Sequence, residues 1–161
     1  MKRVVIVLGL ALMLGIPPEA LAQAVPDFSG MWRFNQGKSS RGIAGNTPNI
    51  PFPSQLVVKQ SPTELYVAST SIRQAPLTAT YKLDGSKVTV DAPSGISETG
   101  EARFAGATVV ITTRRSFSSP AGETVVDFKE TWSISGSVLM IEKTRIQDGE
   151  STTERAVYDK T

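Results

Sequence analysis

The sequence predicts an all-β protein, an antiparallel up-and-down β-barrel of about 8–10 strands. Three observations predict it. From residue 54 onward, short segments alternate apolar and polar side chains, the period of a half-buried strand, and no stretch carries a convincing 3.6-residue period. Turn signals separate these segments at Ser61-Pro62, Asp84-Gly85, Gly106, Gly136 and Asp148-Gly149. No helical crossover of the kind that parallel strands require is visible, so the strands must be joined as hairpins, and closing such a sheet removes its exposed edges.

The first strand is Asp27-Phe28-Ser29-Gly30-Met31-Trp32-Arg33-Phe34-Asn35. Side chains alternate along an extended chain, so Phe28, Gly30, Trp32 and Phe34 share one face, the inward one. There Gly30 permits a close approach by a neighbouring strand or terminus, and Trp32 plugs the floor of the barrel. Residues 36–53 follow, rich in Gly, Pro, Ser and Asn. A loop of that length is either a plain connection or a flap across one mouth, with Ile43, Ile50 and Phe52 as its apolar contacts. The remaining segments read as hairpins: 54–60 with 63–70, 76–83 with 87–91, 98–105 with 108–116, and 123–135 with 138–146, closed by 151–159.

The amino end has a different character. Met1-Lys2-Arg3 precedes an apolar run, Val4 to Leu14, then Pro17-Pro18 and Ala20-Leu21-Ala22. A basic start, an apolar stretch too short to span a bilayer and a small-x-small site describe a signal peptide over residues 1–22. The mature domain, 23–161, is then periplasmic or secreted, with no membrane anchor. Setting aside Lys2 and Arg3 leaves 15 of the 17 basic residues, and setting aside Glu19 leaves 14 of the 15 acidic ones, a net charge of +1 without blocks. No basic stripe suggests nucleic acid. Cysteine and histidine are both absent, which excludes disulfides, Ser-His-Asp and Cys-His triads, histidine acid-base chemistry and the usual zinc sites. No residue is assigned a catalytic role, and no metal or cofactor is expected.

Gly30-Met31-Trp32 resembles the G-x-W motif of the lipocalins and the wider calycin barrels. The longer string Asp27-Phe28-Ser29-Gly30-x-Trp32-x-x-Asn35-x-x-Lys38-Ser39, with Glu130-Thr131-Trp132-Ser133 further on, resembles a group of secreted bacterial lipocalin-like proteins. The resemblance implies an apolar ligand held in the barrel. It also implies a basic residue of the last strand packed across the motif tryptophan; Arg155 is the match, with Arg145 second.

The candidate site lies in Val126-Asp127-Phe128-Lys129-Glu130-Thr131-Trp132-Ser133-Ile134. Phe128 and Trp132 flank Glu130 at two residues on either side, so a strand that buries them aims the carboxylate inward as well. An ionised carboxylate there requires a partner, and Arg115 and Lys143 are the candidates on neighbouring strands. The group is a satisfied ion pair near a barrel end or the group that orients a ligand's polar head, with a catalytic carboxylate as the third alternative. Two functions follow: an exported barrel that binds or sequesters a small, largely apolar ligand, or an extracytoplasmic interaction module whose barrel is filled by its own side chains. An open cup favours the first, a filled interior the second.

Overall fold

The computed structural model describes residues 25–39, 52–71, 74–120 and 122–161. The signal-peptide reading of residues 1–22, and Ile43 and Ile50 of the expected flap, lie outside the described residues. Among the described residues, ten strands form a single antiparallel sheet: β1 (Gly30–Phe34), β2 (Gln55–Gln60), β3 (Glu64–Ser71), β4 (Gln74–Lys82), β5 (Val88–Thr89), β6 (Ile96–Ala105), β7 (Thr108–Ser119), β8 (Gly122–Ser135), β9 (Val138–Gln147) and β10 (Glu150–Lys160). No helix occurs among the described residues. The spatial order is β4-β3-β2-β1-β10-β9-β8-β7-β6-β5, so β1 joins the first hairpins to the last strand and the sheet curls into a nearly closed barrel.

The expected pairing of 76–83 with 87–91 does not form. Strands β4 and β5 stand at opposite ends of the sheet order, and β5 pairs with β6 through Val88↔Gly100 and Thr89↔Thr99. The Asp84-Gly85 turn steps across the gap instead of folding back. Asp84 Oδ1 accepts hydrogen bonds from the Ser86 backbone N–H and hydroxyl, at 2.8 and 2.6 Å, and Gly85 takes a positive φ of 84°. Leu83 N–H still donates to Thr63 of the β2–β3 turn, whereas Gly85 N–H donates to Ala102 on β6. This local side-chain capping turns the chain from one edge to the other. Side chains bridge the seam: the Thr78 hydroxyl donates to Asp91 at 3.0 Å, and the Tyr81 ring lies against Gly100.

The floor is built as the first strand predicts. Phe28 and Trp32 are fully buried, the Trp32 indole N–H donates to the Phe28 carbonyl at 3.0 Å, and the Phe28 ring meets Trp132 edge-on at 6.4 Å. Around them pack Leu56, Val58, Leu65, Val109, Leu139 and Tyr158.

The cation over Trp32 is Lys160, with its ammonium 5.2 Å from the ring centroid, and not Arg155. Parity along β10 is the reason. Trp32 pairs with Lys160, so Lys160, Tyr158 and Ala156 share the inward face, while Arg155 is exposed on the other face opposite Glu142. Arg145, the second match, donates to Gln147 further along β9. Gly30 makes room for Lys160: its φ is 146°, and a Cβ there would sit 2.6 Å from Lys160 Cε.

The remaining letters of the opening string fasten the chain after β1 to β10. Asp159 accepts from Asn35 at 2.6 Å and from the Lys38 ammonium at 2.9 Å. Asn35 first and Lys38 second hold the Asp159 carboxyl below its ordinary range. The Ser39 hydroxyl donates to the Asn35 carbonyl and accepts from Val157 N–H.

Candidate functional site

Strands β6 to β9 carry the polar part of the interior. Their registers align Glu98 with Arg115, Ile111 with Glu130, and Glu130 with Lys143. Directly opposed residues in an antiparallel pair project from the same face, so all four charged side chains enter the barrel from one wall.

Lys143 is the partner of Glu130, at 2.9 Å from Nζ to Oε1. The second carboxylate oxygen accepts the Trp132 indole N–H at 2.8 Å. The side chains of Lys143 and Glu130 retain only 18% and 21% of their exposure. Burial pushes the Glu130 carboxyl upward, but the Lys143 ammonium, the Trp132 N–H and Arg115 together outweigh it and hold the group below the ordinary carboxylate range. Arg115 binds elsewhere. Its register neighbours are Glu98 on β6 and Val126 on β8, and its Nε donates to Glu98 Oε2 at 2.6 Å.

Phe128 links the two ion pairs. Lys143 Nζ lies 4.8 Å and Arg115 Cζ 5.6 Å from its ring centroid, within reach of the electron-rich face of the ring. Trp132 is 2% exposed, a core residue that spends its one donor on Glu130.

Three residues of this site were not anticipated as part of it. Glu98 is 7% exposed. Its signal is the alternation Glu98-x-Gly100-x-Ala102-x-Phe104, in which two small residues disguise an inward face. Tyr81 and Tyr158 also line the wall, and burial, then the nearby carboxylates, raise both phenols well above their ordinary range. Tyr158 donates to the Pro53 carbonyl at 3.0 Å, tying β10 to the segment before β2.

These groups border a cavity of about 190 Å³ inside the barrel. Leu56, Val67, Leu77, Ile111 and Ile141 supply its apolar side, and Phe52 and Pro53 also line it. Of the two expected interiors, this is an open one, small and half polar.

Gly100 sets the position of the Tyr81 wall. A Cβ at residue 100 would meet Tyr81 Cε1 at 2.6 Å and Thr113 Cγ2 at 3.1 Å. Gly100→Ala is therefore expected to push the ring out of place and cost about 1–3 kcal/mol, as overpacking does. Urea unfolding measures this, and an unchanged midpoint would show that the seam between β4 and β6 is not tightly packed.

No protein-family model matches the sequence, and no curated protein matches it. Several solved structures are similar, and two of them illustrate the likeness. One is zebrafish ileal bile acid-binding protein complexed with cholic acid, with a TM-score of 0.54 and 13% identity over 83% of this chain and 98% of that one. The other is secretory abundant heat soluble protein 4 from Ramazzottius varieornatus, with a TM-score of 0.51 and 17% identity over 83% of this chain and 94% of that one. At such identities the likeness is one of fold, and the fold is a ten-stranded calycin-like β-barrel.

Proposed function

We propose that this chain is an exported, lipocalin-like barrel that binds or sequesters a small, largely apolar molecule in its interior. The observation that carries the reading is the cavity itself. An apolar side formed by Leu56, Leu77, Ile111 and Ile141 faces a confined group of charged and hydrogen-bonding residues. That combination is the usual make-up of a small-molecule site, in which apolar walls supply affinity and a few polar groups fix orientation. In this reading Phe128 and Trp132 bound the pocket, and Glu130, Lys143 and Arg115 meet the ligand's polar end. The zebrafish neighbour, crystallised with cholic acid, supports an interior ligand by analogy of fold. Export rests on the amino-terminal residues alone, with their basic start, short apolar run and Ala20-Leu21-Ala22 site.

The interaction-module alternative requires an interior filled by side chains, and the cavity weighs against it. Native mass spectrometry of protein purified from its own host tests the choice. The expected spectrum shows a small molecule retained at near one copy per chain and lost on unfolding. A bare polypeptide mass, combined with failure of the folded protein to take up any small amphiphile, would return the protein to the interaction class.

A further inference from the structure

We propose that the polar end of the ligand is uncharged, a hydroxyl, amide or similar hydrogen-bonding group, and that this barrel discriminates against free carboxylates. The inference rests on the interior-binding reading above and adds the chemical class of the head group.

Both cations on the cavity wall are already committed to carboxylates. Lys143 lies 2.9 Å from Glu130, and Arg115 lies 2.6 Å from Glu98. The fifth charged residue on the wall, Asp91, is exposed and adds a further negative charge while accepting from Thr78. On the same face, buried Glu154 stands directly opposite Lys143 across β9 and β10. Arg145, two residues beyond Lys143, donates to the Gln147 side chain. Arg145 keeps its charge, since Gln147 is neutral, so Arg115, Lys143 and Arg145 stand against Glu98, Glu130, Asp91 and Glu154, which leaves an incoming anion no surplus positive charge.

A carboxylate that approached Lys143 would have to share its ammonium with Glu130. Two like charges at that separation disfavour one another, so one would have to take up a proton or leave. Displacing Glu130 instead would strand a largely buried carboxylate whose other donor among the described residues is the Trp132 indole, a costly state. A hydroxyl or amide avoids both penalties. It can donate to a carboxylate oxygen, or accept from the remaining hydrogens of Lys143 or Arg115, with both ion pairs intact.

The test uses octanol and octanoate, which share a tail length and differ in charge at pH 7.5, titrated into the mature chain by calorimetry. Any apolar cup favours octanol, so the decisive quantity is the ratio of octanoate to octanol affinity in a variant. Glu130→Gln keeps an acceptor for the Trp132 N–H but removes the charge that occupies Lys143. It is expected to raise that ratio about ten-fold. Glu98→Gln, which frees Arg115 in the same way, is expected to shift the ratio in the same direction and serves if the first variant does not fold.

Wild-type protein that binds octanoate as tightly as octanol, or a ratio unmoved in the folded variants, would overturn the head-group inference and leave interior binding standing. Binding of neither probe to the wild type would overturn interior binding, and the head-group inference with it.

Discussion

Replacing Trp32 with alanine is expected to lower stability by about 3–5 kcal/mol, the cost of truncating a buried aromatic that its surroundings cannot refill. The indole is fully buried at the floor, where β1 is held between β2 and β10. Three things are lost together. The ring leaves a cavity, the Phe28 carbonyl loses the indole N–H that it accepts, and Lys160 loses the face over which its ammonium sits. Trp32→Phe should cost distinctly less, because it keeps most of the ring volume and the cation contact while giving up the hydrogen bond. Urea titration checks both, with a lowered midpoint and a nearly constant slope. An unaltered midpoint in Trp32→Ala would remove the floor-plug role from this residue.

The floor was legible because alternation is a local property. Phe28, Gly30, Trp32 and Phe34 declare their face within one strand, and Gly30 beside the indole announces a close approach that Lys160 supplies. What approaches was not legible from the motif alone, and Arg155 was the wrong choice. Parity along β10 decides it, since Ala156 and Tyr158 are buried, and Lys160, two residues further, falls on their face. The failed pairing of β4 with β5 has a different cause. A turn rich in Asp, Gly and Ser signals reversal, but the direction in which the chain leaves depends on which edge offers a free ladder, and β6 does so through Ala102.

The site divides in the same way. Glu130 faces inward for a reason visible in its own strand, and the choice between Arg115 and Lys143 is one of register. The Gly136 turn pairs Ser135 with Val138, and counting back along both strands sets Lys143 directly opposite Glu130. Glu98 escaped because Gly100 and Ala102, its companions on the inward face, are too small to mark that face as apolar. Its pairing with Arg115 converts a patch with two cations for one carboxylate into a balanced one.

Lys143→Met is expected to cost about 3 kcal/mol at pH 7, in the range for removing one partner of a buried ion pair. The methionine replaces much of the aliphatic volume but leaves Glu130 ionised with the Trp132 N–H as its remaining close donor among the described residues. The effect of pH then separates wild type from variant. In the wild type, Lys143 and its neighbours depress the folded-state pKa of Glu130 below its unfolded value. That contribution is complete above the unfolded value, about 4.3, and is lost as the pH falls through the lower folded value.

Without Lys143, burial is the leading influence on Glu130, and its folded-state pKa is expected to rise above the unfolded value. The folded variant then takes up a proton before the unfolded chain does, so its stability relative to wild type improves as the pH is lowered from 7 toward 5. Urea unfolding of both proteins at several pH values measures the difference directly. A deficit that shrinks on acidification identifies an uncompensated carboxylate as its source. A deficit constant from pH 7 to pH 5 would mean that Lys143 acts through packing on Phe128 alone, and that Glu130 finds another cation when Lys143 is gone.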